Sequence, residues 1–199
     1  RISNIRTGDV NMQKKPEIIV FAGPNGSGKS TITKMANIIE PYVNADDIKK
    51  TNHCSDMDAA ILAEKQRHKL VESHTSFTFE TVLSTDRNLK LLQLAKDNGY
   101  FIRCIYVLTT DPHINVARVK VRKASGGHDV PVHKIIERYH RALKLIPDLL
   151  RVCDVCHIYD NSDQPFRIFK KRKQLYFYWE NEFWNKEKIE EITKISFPS

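Results

Sequence analysis

A short apolar run leads directly into a glycine-rich loop, and this junction constrains the fold more than any other part of the chain. The run is Ile18-Ile19-Val20-Phe21-Ala22, and the loop from Gly23 to Thr31 reads GPNGSGKST. One glycine, four residues and then Gly28-Lys29-Ser30 is the spacing of a phosphate-binding loop, in which backbone N–H groups curl around an anion. The order predicts a buried strand, a loop and a helix whose N-terminus faces a phosphate.

Each position of such a loop has an expected role. We expect Lys29 to reach the β and γ phosphates of a triphosphate, and the Ser30 hydroxyl to be a ligand of Mg²⁺. The triphosphate is ATP or GTP, and the loop residues predicted to bind it are Gly23, Asn25, Gly26, Ser27, Gly28, Lys29, Ser30 and Thr31. The loop does not identify the molecule that receives a phosphate.

Strand-like and helix-like segments alternate along the rest of the chain. Strands are predicted at 17–22, 42–44, 77–79, 100–108 and 152–160, and helices at 30–39, 56–73, 85–97, 111–124 and 132–146. This alternation predicts a doubly wound α/β fold with a mainly parallel sheet. An antiparallel hairpin with the basic run 170–173 at its tip, and then a helix at 180–195, are predicted to follow.

We expect one domain over residues 16–199, preceded by a loosely held tail at 1–15. Within it, two basic helices flank the break Ser125-Gly126-Gly127-His128-Asp129-Val130-Pro131. The first carries Arg118 and Arg122, and the second carries Arg138 and Arg141. Two such helices around a Gly-Gly break are typical of a closing lid, here about residues 112–146, although a solvated basic surface is the alternative.

The net charge of +8 favours anionic partners. It does not separate nucleotides from nucleic acid or an acidic protein, and nucleic acid is the less favoured partner. No apolar run reaches the roughly 20 residues of a membrane span, and no signal-peptide core stands at the start. We therefore expect a cytoplasmic protein with no membrane contact.

The string Cys153-x-x-Cys156-His157 resembles a haem attachment site. Because both cysteines are predicted to lie on one strand, they should point to opposite faces, which excludes a shared metal or haem.

Phosphoryl transfer needs an acceptor hydroxyl held in line and a group that takes its proton. Carboxylates at the carboxyl ends of neighbouring strands suit this task. Asp46 is the first choice for the base and Asp47 its competitor, while Glu80 would hold the acceptor or the water shell of the metal. The alternative for Asp46 is a helix N-cap, and its spacing favours neither role.

Taken in order, four segments of the chain resemble the zeta toxin family, and more narrowly its compact, single-domain bacterial branch. They are the phosphate-binding loop, 43–48 (VNADDI), 79–84 (FETVLS), and 126–131 (GGHDVP) with Arg138-Tyr139 downstream. The resemblance covers about residues 17–180. It implies a three-layer P-loop kinase fold, phosphorylation of a sugar hydroxyl of UDP-N-acetylglucosamine, and an antitoxin as a possible partner.

By position in these motifs, the resemblance implies that Asp46 is the base and that Glu80 binds substrate. It places the phosphate-clamping arginines on Arg122 and Arg138, with Arg118 and Arg141 as alternates. The full catalytic set is then Lys29, Asp46, Arg122 and Arg138, Arg118 joins the nucleotide-binding residues, and the substrate-binding set is Asn44, Asp46, Glu80, Thr81 and Ser84.

Val82 and Ser84 stand where better-known toxins carry a threonine and an arginine that hold the UDP-sugar. The acceptor therefore need not be UDP-N-acetylglucosamine. Two other functions remain open: a kinase or ATPase that acts on nucleic acid or nucleotides, and a nucleotide-regulated toxin–antitoxin binding module.

Overall fold

The computed structural model describes residues 15–124 and 130–198. Its strands are β1 (Glu17–Ala22), β2 (Tyr42–Val43), β3 (Phe77–Thr81), β4 (Phe101–Leu108), β5 (Val155–Asp160), β6 (Phe166–Arg172) and β7 (Leu175–Tyr178). Its helices are α1 (Lys29–Met35), α2 (Ala45–Asn52), α3 (Asp56–Glu72), α4 (Arg87–Asp97), α5 (Pro112–Ala124), α6 (Val132–Lys144), α7 (Ile146–Val152) and α8 (Lys186–Thr193).

The strands form one sheet in the order β2-β3-β1-β4-β5-β6-β7. The first five strands are parallel, whereas β6 and β7 are antiparallel additions at one edge. The predicted α/β fold with a mainly parallel sheet and a C-terminal hairpin and helix is therefore confirmed. Since β1 lies between β3 and β4, the glycine-rich loop opens at the centre of the carboxyl edge of the sheet.

The apolar pattern of the strands explains why the sheet is covered on both faces. Five of the six residues of β1 are buried. Alternate residues such as Ile18 and Val20 belong to the main core, while Ile19 and Phe21 pack with Ile32 of α1. A separate small core joins α5 to α6. Near-continuous burial of this kind is characteristic of a central parallel strand.

Several predicted boundaries are wrong, in one case because a tertiary contact competes with the local pattern. Helix α1 ends at Met35 rather than near residue 39, since the backbone N–H and carbonyl of Ile39 are both bonded to the Thr78 hydroxyl at 2.8 Å. Helices α2 and α7 were not predicted. The terminal helix begins at Lys186, where the Asn185 side chain accepts a hydrogen bond from the backbone of Lys188.

The prediction that Cys153 and Cys156 point to opposite faces of one strand is also wrong. Strand β5 begins only at Val155, and Cys153 instead ends α7. The buried Cys104 lies beside Cys153 and Cys156, and burial, together with both neighbouring thiols, raises the pKa of Cys104 well above its usual range. All three thiols are free. Among the described residues no cluster of His, Cys, Asp and Glu has the arrangement of a metal site.

The basic run at 170–173 is not simply the tip of the hairpin. Its first three residues belong to β6, and only Lys173 and Gln174 form the turn. Lys171 is buried, and its ammonium group donates to the carbonyl of Leu150 near the end of α7. This cation therefore satisfies a carbonyl at a helix C-terminus, where a positive charge is favourable.

Parts of two predicted features lie outside the described residues, namely the N-terminal tail up to residue 14 and residues 125–129 of the break between the basic helices. Within the ranges that are described, every helix is too short or too polar to cross a lipid bilayer.

Candidate active site at the phosphate-binding loop

The glycine-rich loop joins β1 to α1. It packs so closely against two neighbouring segments that glycine is required at two of its positions. At Gly28 the backbone φ is +89°, and an added Cβ would lie 2.1 Å from Nδ2 of Asn161. At Gly23 an added Cβ would lie 2.0 Å from the carbonyl oxygen of Val107. Glycine is thus needed both for conformation and for close approach, as expected of a loop shaped to cradle a phosphate.

Two asparagines outside the motif hold this loop by its carbonyl groups. Asn161, after β5, donates from Nδ2 to the carbonyl of Ser27 at 2.8 Å, and Asn115, in α5, donates to the carbonyl of Asn25 at 2.7 Å. Asn115 is fully buried. Sequence reasoning missed both residues, and the one available signal was a polar residue on the apolar face of α5.

Lys29 is buried at the start of α1. Its ammonium group donates to the carbonyls of Gly23 at 2.8 Å and Pro24 at 3.1 Å, and Oε1 of Glu80 is 4.0 Å away. Burial lowers the pKa of Lys29, an effect that the charges of Glu80 and Asp46 oppose and that of Arg122 reinforces. A phosphate bound beside Lys29 would favour its charged form.

A cavity of about 150 Å³ opens beside this lysine. It is lined by Gly26, Gly28, Lys29, Ser30, Glu80, Arg118, Val119 and Arg122. Ser30 and Glu80 bring a hydroxyl and a carboxylate to the same cavity, and oxygen ligands of this kind suit Mg²⁺. Thr31, the next loop residue, is exposed on α1 and is not among the lining residues.

Asn44, not Asp46, caps helix α2. Its Oδ1 accepts a hydrogen bond from the backbone N–H of Asp46 at 2.9 Å. The alternative role of Asp46 as the N-cap is therefore wrong, and its exposed carboxylate belongs to the first turn of α2. Asp47 is also exposed. It does not line the cavity beside Lys29, nor the second cavity, described next, to which Asp46 belongs.

Asp46 lies in a second cavity, of about 430 Å³, between the loop and helices α2, α3 and α6. Its lining residues are Asn25, Ala45, Asp46, Asp56, Ala59, Ala60, Val82, Val130, Pro131, Lys134 and Arg138. The lining therefore combines small apolar side chains with two carboxylates and two cationic groups. Asn25 of the phosphate-binding loop lines this second cavity, and Gly26 and Gly28 line the first, so the loop borders both cavities.

The other predicted substrate residues lie elsewhere. The Thr81 hydroxyl accepts hydrogen bonds from the backbone of Leu83 at 3.0 Å and the side chain of Asn88 at 2.8 Å, which shapes the turn after β3. Ser84 follows in that turn and lines neither cavity. Val82, between them, does line the second cavity.

The structure separates the four predicted arginines. Arg118 lines the first cavity but donates to the carbonyls of Asn161 at 2.7 Å and Ser162 at 2.8 Å. Arg122 lines the same cavity one turn further along α5. Arg138 lines the second cavity, 3.5 Å from Oδ1 of Asn25, whereas the exposed Arg141 forms an ion pair with Glu137.

Comparisons with known proteins place the chain in a family. A sequence model described as zeta toxin matches residues 39–174. An uncharacterized protein of Haemophilus influenzae (strain ATCC 51907 / DSM 11121 / KW20 / Rd) is 31% identical over 134 residues, which cover 64% of this chain and 94% of that protein.

Solved structures show the same fold at low sequence identity. The PezAT chromosomal toxin-antitoxin system of Streptococcus pneumoniae is 18% identical, with a TM-score of 0.58 over 81% of this chain and 75% of that one. AvrRxo1-ORF1:-ORF2 with ATP is 15% identical, with a TM-score of 0.69 over 94% and 67%. From the family match and this P-loop kinase-like fold, the chain belongs to the zeta toxin family.

Proposed function

We propose that this protein is a phosphotransferase that moves the γ-phosphate of ATP or GTP to a hydroxyl of a small molecule, such as a UDP-sugar. One observation carries the proposal. The phosphate-binding loop borders two cavities, and one contains Lys29 while the other contains Asp46. Because the loop borders both cavities, a phosphate donor in the first and an acceptor in the second would meet beside it.

In the donor half, the loop glycines and Lys29 would hold the phosphates of the nucleotide, and Arg118 would line its site. The residues present fit this group, because loop glycines, the Lys29 ammonium group, the Ser30 hydroxyl and the Arg118 guanidinium line one cavity. Mg²⁺ would be held by the Ser30 hydroxyl and would neutralise charge on the phosphates.

In the acceptor half, the second cavity has the size of a small-molecule site. Asp46 would accept the proton of the attacking hydroxyl, since its carboxylate is exposed in that cavity and is not used as a helix cap. Arg122 and Arg138 would stabilise charge on the transferred group from opposite sides of the loop. Glu80, in the adjoining first cavity, remains a proposed substrate residue. Asn44, Thr81 and Ser84 line neither cavity, and their proposed role rests on the motifs alone.

We further propose that residues 16–199 act as one kinase domain in which α5 and α6 form a lid, about residues 112–146. An antitoxin is the proposed protein partner. In support, one structural neighbour is described as a chromosomal toxin-antitoxin system, although its likeness to this chain shows only the fold.

The test is incubation with ATP or GTP, Mg²⁺ and a panel of UDP-sugars, nucleosides and oligonucleotides, with mass spectrometry to detect one added phosphate. We expect a small hydroxyl compound to gain the phosphate, and Lys29→Met and Asp46→Asn to abolish this gain. A phosphorylated oligonucleotide would indicate a nucleic-acid kinase instead. If nucleotide binds but no compound is modified, a nucleotide-regulated binding module replaces the kinase proposal.

A further inference from the structure

Tyr42, which no motif singled out, connects the acceptor side of the site to the phosphate side. It begins β2, at the edge of the sheet, and its hydroxyl donates to Oε2 of Glu80 at 2.8 Å. The same hydroxyl accepts from Nδ2 of Asn44 at 3.3 Å. Burial, together with the negative charge of Glu80, raises the pKa of Tyr42 well above its usual range. The phenol thus remains a donor.

The other oxygen of Glu80 faces Lys29 without touching it. A lysine ammonium group has three N–H donors, and Lys29 uses two of them on the carbonyls of Gly23 and Pro24. The distance from Nζ to Oε1 of Glu80 is 4.0 Å, whereas a charge-assisted hydrogen bond is about 2.7–2.9 Å long. The carboxylate is therefore near enough to attract the ammonium group but does not occupy its third donor.

Both charged groups are poorly hydrated, since the Lys29 side chain is 9% exposed and that of Glu80 is 20% exposed. In such a site an unrestrained carboxylate would close on the lysine, because Coulomb attraction is only weakly screened. A direct ion pair would then compete with a phosphate for Lys29.

We propose that Tyr42 is a positioning residue that holds Glu80 away from Lys29 and so keeps Lys29 available to a phosphate. This inference rests on the proposed function, in which Lys29 binds the nucleotide. Tyr42 acts only through Glu80, and it need not touch either substrate.

The test is calorimetric titration of AMP-PNP with Mg²⁺, which needs no knowledge of the acceptor. Tyr42→Phe removes only the hydroxyl, and we expect AMP-PNP to bind about tenfold more weakly, the loss of one hydrogen bond to a charged group. In the Glu80→Gln background, the same substitution should change the affinity little, because no carboxylate remains to close on Lys29. This suppression distinguishes positioning from a general loss of packing.

Tyr100→Phe is the matched control. Tyr100 directly precedes β4, at the amino end of the parallel strands, whereas the loop lies at their carboxyl end. The Tyr100 hydroxyl donates to the carbonyl of Leu70 at 2.9 Å. This variant should lower the melting temperature and leave the AMP-PNP affinity unchanged.

The two proposals fail differently. If the wild-type protein binds no AMP-PNP, the proposed function and this inference both fall. If it does bind, and Tyr42→Phe binds equally well or more tightly, only the inference is overturned. An equal loss of affinity with and without the Glu80 carboxylate would also overturn it.

Discussion

At the scale of single residues, the loop depends on the absence of a side chain at Gly28. The amide group of Asn161 occupies the volume that a Cβ would need, and it uses that position to hold the Ser27 carbonyl. The glycine in the motif is therefore required by a neighbour more than 130 residues away in sequence as well as by its own φ of +89°. Its role combines backbone conformation with packing.

Gly28→Ala should lower the free energy of unfolding by more than the roughly 1–2 kcal/mol that a left-handed backbone costs an alanine. It should also weaken nucleotide binding, because Asn161 must leave the Ser27 carbonyl. Urea denaturation and AMP-PNP titration measure the two effects.

Gly99→Ala supplies the control, since Gly99 has a similar φ of +83° but an added Cβ would meet nothing within 4 Å. Equal losses of stability in the two variants would show that Asn161 is not the constraint.

At the scale of secondary-structure elements, α5 and α6 present different arginines to different surroundings. On α6, Arg138 reaches the loop at Asn25, whereas Arg141 pairs with Glu137 in solvent. The two residues are three positions apart on one helix, so replacement of either by alanine changes the same residue type in the same element. Their functional contributions should nevertheless differ.

Arg138→Ala should lower the rate of phosphoryl transfer by about 10³-fold or more, while Arg141→Ala leaves it within about twofold, since a clamping arginine acts mainly on the transition state. The rate is measured with the acceptor that the substrate panel identifies, and AMP-PNP affinity serves as the control. Equal rates for the two variants would assign the clamp to another residue.

The pairing of β5 with β4 and β6 creates an acid-sensitive position at His157. Burial, together with the nearby cations Arg167, Lys170 and Arg103, lowers the pKa of His157 to about 4. Because the folded pKa lies below the unfolded value of about 6.5, the neutral form stabilises the fold. This contribution is complete above pH 6.5 and is lost as the pH falls toward 4.

We therefore expect the free energy of unfolding to fall between pH 7 and pH 5, with about 1 kcal/mol of the decrease due to His157 once solvent screening of this half-buried ring is allowed for. Urea denaturation of wild type and His157→Gln at both pH values measures this share. An identical decrease in the two proteins would contradict the assignment.

At the scale of the whole molecule, the sheet order brings the site together. With β1 between β3 and β4, the loop, Glu80 and α5 converge at one edge, while β2 at the end of the sheet brings Tyr42 and Asp46 toward them. A nucleotide that binds there contacts segments from several parts of the chain, so it should stabilise the complete fold.

AMP-PNP with Mg²⁺, at 100 times its dissociation constant, should raise the free energy of unfolding of the wild type by about 2.7 kcal/mol. Lys29→Met should remove this gain. Thermal denaturation with and without nucleotide measures the stabilisation of the wild type and of the Lys29→Met variant. A gain of the same size in the Lys29→Met variant would place the nucleotide elsewhere.

The sequence alone determined the features that depend on local pattern. The apolar run before Gly23 predicted a central strand, and the glycines after it predicted the turn from that strand into a helix. The resemblance drawn from four motifs predicted the family. These features were predictable because each is encoded within a few consecutive residues.

Only the tertiary structure decided the features that depend on neighbours distant in sequence. It assigned the N-cap to Asn44 rather than Asp46, separated Arg138 from Arg141, and set Cys153 and Cys156 around Cys104. It also showed Asn161 on the loop and Tyr42 on Glu80. The physical reason is that parallel strands bring distant segments to one edge, and no local pattern records which side chains meet there.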